Sequence, residues 1–125
     1  AGEQLAGLAD FERLANEGHA DVLQPDLSRC GGLTVGRQIA DFATRRQIDC
    51  VPHAWLTDVL KAASLHLNAY LMKSLYLEYN VSTASILTNL CTPKIEMSDG
   101  YIHVPDGPGL GVEIDEKMLS KFRVA

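Results

Sequence analysis

The sequence contains few cysteines, and their spacing does not suit a metal site or a disulfide framework. Cys30, Cys50 and Cys91 are odd in number and far apart, and no Cys-x-x-Cys pair occurs. Small secreted scaffolds and structural zinc domains carry cysteines at short, paired spacings. We therefore expect three free thiols in a reducing compartment, for which the cytosol is the default.

Long apolar runs and an excess of positive charge are also missing. His66 and Asn68 interrupt the apolar stretch at residues 62–71, whereas a membrane-spanning helix needs about 20 predominantly apolar residues. The net charge is −5, whereas a nucleic-acid surface carries a basic stripe. We therefore expect neither a membrane nor a nucleic acid as a partner. The composition alone would also fit a small acidic binding module.

Short strand-like runs alternate with longer helical patterns along the first two thirds of the chain. The predicted elements are, in chain order, a helix at 8–15, a strand at 22–23, a helix capped by Thr34, a strand at 50–51, a helix at 59–71 and a strand at 75–79. The strands recur about every 25–30 residues, which is close to the length of one βαβ unit and too long for hairpins. This alternation predicts an α/β fold with a parallel sheet.

An ionisable residue lies at or just after the end of each of the three predicted strands. These residues are Asp26, His53 and Glu78, and in a parallel barrel the ends of the strands lie on one catalytic face. Each residue taken alone has a plainer interpretation. Asp26 could cap a helix, a histidine after a proline is often a structural loop residue, and Glu78 could be a solvated charge. The pattern predicts that the three residues lie close together, and it leaves their roles open.

The last third of the chain has a different composition, rich in Gly, Pro and Asp. Two short alternating runs, at 95–97 and 101–104, flank a turn at Ser98-Asp99-Gly100, which is typical of a hairpin. Asp115 is placed to cap a final helix at 116–122.

Five short motifs follow one another along nearly the whole chain. They are Gly2-Glu3, Gln24-Pro25-Asp26 with Ser28 to Gly32, Pro52-His53-Ala54-Trp55, Leu77-Glu78-Tyr79, and Pro105 to Gly111. In order and spacing they resemble the C-terminal half of enolase-superfamily enzymes of the mandelate racemase and muconate lactonizing enzyme type, in the sugar-acid dehydratase branch. The resemblance implies the C-terminal half of a (β/α)7β TIM-like barrel with a C-terminal capping segment. Residues 1–92 would be the partial barrel, and residues 93–125 the hairpin and helix that join the capping region.

The same resemblance implies a role for each ionisable residue. Glu3 matches one of three carboxylates that bind Mg²⁺, a hard cation that prefers oxygen ligands. His53 and Asp26 match a dyad in which His53 exchanges a proton and Asp26 orients the ring. Glu78 matches a residue that hydrogen-bonds the carboxylate of the substrate, an acid sugar or another carboxylate. The implied reaction starts with loss of the proton α to that carboxylate, and dehydration is the favoured outcome.

Other readings of the same chain stay open. The reaction could be a racemisation or epimerisation, or the 125-residue chain could be a truncated, non-catalytic half-barrel that self-associates. A closed barrel usually takes about 250 residues, and the family's Lys-x-Lys base and two earlier metal carboxylates do not occur in this sequence. We therefore expect a homo-oligomeric parent enzyme to be active, and the isolated chain to be inactive and to bind Mg²⁺ weakly.

Overall fold

A parallel βαβ unit forms the centre of the computed structural model, which describes residues 1–71, 73 and 76–124. Strand β1 (Val22–Leu23) pairs in parallel with β2 (Asp49–Cys50), with Val22 opposite Asp49 and Leu23 opposite Cys50. The pairing continues as a parallel bridge between Asp26 and His53. The ends of both strands therefore lie side by side, as the sequence predicts.

The first residue of the chain extends this sheet on its other side. The amino group of Ala1 donates to the carbonyl of Val22 at 3.0 Å, and the amide of Gln24 donates to the carbonyl of Ala1 at 2.8 Å. The amide of Val51, by contrast, donates to the carbonyl of Leu23 at 2.9 Å. The backbone groups of β1 thus form hydrogen bonds alternately with Ala1 on one side and with β2 on the other. The residues that follow Ala1 therefore lie at the same end of the sheet as Asp26 and His53.

Three helices pack around this unit. They are α1 (Gly7–Asn16), α2 (Gly32–Arg46) and α3 (Asp58–Tyr70), and α2 packs against both of the others. The predicted ranges 8–15 and 59–71 differ from α1 and α3 by one residue at each end. The main core comprises apolar side chains from the helices and both strands, with Phe11, Leu23, Ile39, Ala40 and Ala43 completely buried.

The start of α2 differs from the prediction. The helix begins at Gly32 rather than after Thr34, and no side chain caps it. Gly31 and Gly32 have φ angles of +119° and +73°, which L side chains rarely adopt, and a Cβ on Gly31 would lie 2.6 Å from Cγ2 of Val35. The two glycines let the chain turn into the helix earlier than a capping threonine would, so the Thr34 cap was wrong.

The third predicted strand, at 75–79, is also wrong over the residues that the structure describes. Residues 76–79 form no strand, and Leu75 lies outside the described residues. The physical reason is that the described backbone of this segment has no ladder partner, and side chains hold it instead. One such contact is the side-chain amide of Asn68, which donates to the carbonyl of Tyr76 at 3.1 Å.

The C-terminal part contains the predicted hairpin and capped helix. Strands β4 (Met97–Ser98) and β5 (Tyr101–Ile102) are antiparallel. Asp99 and Gly100 between them both have positive φ, 52° and 82°, as a two-residue hairpin turn requires. Helix α5 (Glu116–Ser120) is capped by the carboxylate of Asp115, which accepts the amide of Met118 at 2.9 Å. Both predictions are confirmed.

One pairing in this part is not visible in the sequence. After the short helix α4 (Ser85–Thr88), strand β3 (Cys91–Thr92) pairs antiparallel with β6 (Glu113–Ile114). This pairing joins the end of the predicted partial barrel, residues 1–92, to the second half of the predicted capping segment, residues 93–125.

The three thiols are free, as predicted, and all three are buried. Within the described ranges, no helix is long and apolar enough to cross a bilayer.

Candidate active site

His53 lies at the centre of the candidate site, at the end of β2. Nδ1 of its ring is 2.9 Å from Oδ2 of Asp26. Nε2 is 3.3 Å from Oε2 of Glu3 and 3.9 Å from Oε2 of Glu78. The structure therefore brings together all four residues that the sequence analysis singled out, although each comes from a different stretch of the chain.

Asp26 is completely buried and uses both carboxylate oxygens. Oδ1 accepts the amide of Ser28 at 2.7 Å and its hydroxyl at 2.5 Å. Oδ2 faces His53, and Nε of Arg29 lies 3.7 Å from the same oxygen. Because an ionised carboxylate only accepts hydrogen bonds, Nδ1 of His53 carries the proton towards Asp26. In the neutral ring, Nε2 is then the atom that can accept a proton, and the resulting imidazolium can return it.

Glu78 is held by backbone rather than by another charged group. Its Oε2 accepts the amide of Ala54 at 2.6 Å, and Ala54 directly follows His53. This bond ties the Glu78 carboxylate to the end of β2, although residues 76–80 form no strand. Glu78 remains 28% exposed, so the carboxylate is accessible to a bound small molecule.

Glu3 is the most exposed of the four, at 54%. Its neighbour Gln4 accepts a hydrogen bond from the Arg29 guanidinium, so Arg29 contacts the loops of both Glu3 and Asp26. The described residues contain no group of three or more His, Cys, Asp or Glu side chains that could hold a metal ion. An exposed carboxylate such as that of Glu3 suits a hard cation as one ligand of several, and no complete ligand set occurs among the described residues.

Sequence reasoning missed several contacts that shape the site. Ser28 provides two hydrogen bonds to Asp26, and a weak signal for it was available, because an Asp side chain in a turn often accepts the amide two residues later. Ala54 acts through its backbone amide, which carries no sequence signal. Ser64, whose hydroxyl lies 3.5 Å from the carbonyl of His53, comes from the middle of α3 and could not be linked to the site without the fold.

A model of the family described as enolase C-terminal domain-like matches residues 1–118. The D-galactarolactone cycloisomerase of Agrobacterium fabrum (strain C58 / ATCC 33970) is 32% identical over 98% of this chain and 35% of that protein. The D-galactonate dehydratase of Ralstonia pickettii (strain 12J) is 35% identical over 95% of this chain and 33% of that protein. The chain thus spans about a third of the length of the curated relatives it matches.

Solved structures show the same similarity. The crystal structure of the 3,6-anhydro-D-galactonate cycloisomerase from Zobellia galactanivorans matches with a TM-score of 0.90 and 32% identity. That match covers 99% of this chain and 35% of the other.

Proposed function

The chain belongs to the enolase C-terminal domain-like family, with the corresponding α/β fold, and from this we propose that it is part of a dehydratase acting on an acid sugar. Its relatives include sugar-acid dehydratases and cycloisomerases. The observation that carries the proposal is the position of His53, whose Nδ1 faces the buried Asp26 while Nε2 faces two accessible carboxylates. We further propose that residues 1–92 form part of a (β/α)7β barrel and that residues 93–125 join its capping region.

In the proposed dehydration, His53 acts on the hydroxyl group that leaves the substrate. Loss of the proton α to the substrate carboxylate gives an enediolate, and expulsion of the β-hydroxyl requires a proton. His53, oriented by Asp26, acts here as the imidazolium: it donates the proton on Nε2 to the hydroxyl, which departs as water, and the ring is left neutral with its remaining proton on Nδ1. Glu78 in its protonated form would donate a hydrogen bond to the substrate carboxylate. The base that removes the α-proton would lie outside this sequence.

The resemblance to the enolase superfamily implies a magnesium-dependent parent enzyme. In this chain Glu3 is the residue that we propose as a magnesium ligand, because its carboxylate is exposed next to His53. Magnesium would stabilise the negative charge of an enediolate. The other ligands would have to come from outside this sequence.

The test is turnover by the full-length enzyme on a panel of acid sugars that includes D-galactonate. We expect His53→Asn to lower kcat by about 10²–10⁴-fold, because Asn cannot exchange a proton near neutral pH. Asp26→Asn should cause a smaller loss, because the imidazole remains but its tautomer and orientation change. His19→Asn is the matched control, since His19 is exposed and lies well before His53 in the sequence. Full activity of His53→Asn on the best substrate, with unchanged circular dichroism, would refute the proposal.

The same assay distinguishes dehydration from racemisation. In D2O a dehydratase loses water and forms a 2-keto acid, whereas a racemase exchanges the α-hydrogen and keeps every hydroxyl. Proton NMR of the product therefore separates the two reactions.

A further inference from the structure

Helix α3 carries a row of polar side chains that are buried on one face. Asp58, Lys61, Ser64 and Asn68 are each less than 9% exposed, and their spacing of three, three and four residues places them on the same side of the helix. Burying polar groups is unfavourable unless they find partners. The partners of this row lie in the candidate site and in the segment at 76–91.

Each member of the row contacts a different part of that region. Oδ2 of Asp58 accepts the amide of Leu90 at 3.3 Å. Nζ of Lys61 lies 3.2 Å from Oδ1 of Asp58 and 4.8 Å from the centre of the Tyr79 ring. Tyr79 is the residue next to Glu78, so Lys61 contacts a side chain on the same short stretch of backbone as the Glu78 carboxylate.

The Glu78 segment depends on such contacts because it has no strand pairing among the described residues. The Asn68 amide holds the carbonyl of Tyr76 on one side of Glu78. On the other side, the side-chain amide of Asn80 donates to the carbonyl of Leu56 at 3.3 Å. Lys61 contacts the residue between these two points, and the Glu78 carboxylate itself reaches the amide of Ala54.

A contribution to stability alone does not explain a buried Lys–Asp pair. Replacing such a pair by well-packed apolar residues is often neutral or stabilising, because desolvation of two charges offsets their attraction. A cation above an aromatic ring does, however, hold that ring at one place and distance. A segment without ladder hydrogen bonds needs contacts of this kind to hold its side chains in position.

We propose that Lys61, with its charge balanced by Asp58, is a positioning residue that holds Tyr79 and thereby places the Glu78 carboxylate beside His53. Its importance for catalysis rests on the proposed function, in which Glu78 hydrogen-bonds the substrate. Its structural consequence does not, because the hydrogen bond from Ala54 to Glu78 exists in the chain without substrate.

The amide of Ala54 reports directly on this placement in the 125-residue chain. A short hydrogen bond to a carboxylate shifts an amide proton downfield and slows its exchange with solvent. In ¹⁵N-labelled protein, Glu78→Ala gives the Ala54 resonance without the bond. We expect Lys61→Met to move the Ala54 resonance towards that position and to speed its exchange by about tenfold or more. Lys61→Arg, which keeps the charge above the ring, should stay near the unmodified protein.

The controls separate positioning from general loss of stability. Ile39→Ala removes buried apolar contacts in α2, and its unfolding is measured alongside. It should leave the Ala54 resonance in place even if it destabilises the chain as much as Lys61→Met. If Lys61→Met does not fold because Asp58 is left unpaired, the double variant Asp58→Asn with Lys61→Met removes both charges and is read in the same way.

An unchanged Ala54 resonance in the folded Lys61→Met or double variant would overturn the proposal, and so would an equal shift in Ile39→Ala. This measurement needs no turnover. An inactive full-length enzyme would therefore refute the proposed function while leaving the result for Lys61 intact.

Discussion

Replacing Asp26 by Ala is expected to remove a large part of the stability of this chain. The side chain is completely buried, and its two oxygens accept two hydrogen bonds from Ser28 and face the His53 ring. In Asp26→Ala the Ser28 amide and Nδ1 of His53 lose their acceptor, and both hydrogen bonds are partly buried. Hydrogen bonds to a charged group contribute about 1.5–3 kcal/mol each, so losing those from the Ser28 amide and the His53 ring should cost about 3–5 kcal/mol once their partial exposure is allowed for.

The magnitude can be measured by urea unfolding at fixed protein concentration. With a slope of about 2 kcal/mol per molar urea, a loss of 3–5 kcal/mol lowers the midpoint by about 1.5–2.5 M. Asp26→Asn should cost about 1–2 kcal/mol, because it keeps the size and one oxygen acceptor for Ser28 but loses the charge that faces His53.

Asp10→Ala is the matched control. Asp10 pairs with Arg13 at 3.2 Å on the exposed face of α1, and exposed pairs of this kind contribute about 0–1 kcal/mol. The reasoning would be refuted if Asp26→Ala lowered the urea midpoint no more than Asp10→Ala. That result would mean that the buried contacts of Asp26 do not hold the two strand ends together.

Three further predictions concern other parts of the chain. Calorimetry of the isolated chain should show weak magnesium binding without a stoichiometric end point, because one carboxylate with water is a poor site for an ion that dehydrates reluctantly. Glu3→Gln should weaken this binding further. Tight binding would mean that the chain contains magnesium ligands other than Glu3. Gly100→Ala should cost about 1–2 kcal/mol in urea unfolding, because Gly100 has a φ of +82° that alanine disfavours, whereas Gly100→Asn should cost less. Burial raises the pKa of the Cys50 thiol to about 12, so at pH 8 alkylation followed by mass spectrometry should find Cys50 unmodified in the folded chain and modified in urea. Rapid alkylation of Cys50 in the folded chain at pH 8 would contradict its burial. Because the pKa of the thiol is raised in the folded state, its contribution to stability is complete below the unfolded pKa of about 8.5 and is lost as the pH rises towards 12.

Local patterns were enough to predict most helices and the positions of the site residues. The helices at 8–15 and 59–71 follow from the 3.6-residue repeat of apolar side chains, and this repeat is a property of neighbouring residues. The Asp99-Gly100 turn and the Asp115 cap also depend on residues within a few positions of each other. Asp26 and His53 could be placed together because parallel strands of a βαβ unit must end at the same edge.

The fold alone decided the contacts that span long stretches of chain. The start of α2 depends on how Gly31 packs against Val35, and the unpaired state of residues 76–79 depends on which backbone groups reach them. The polar row on α3 gave no sequence signal, since Asp58 and Lys61 are ordinary surface residue types until a distant segment covers them. A sequence determines which residues have the capacity for a helix, a turn or a proton transfer, because those depend on local chemistry. Only tertiary packing determines which of them are buried together, because burial depends on segments that are far apart along the chain.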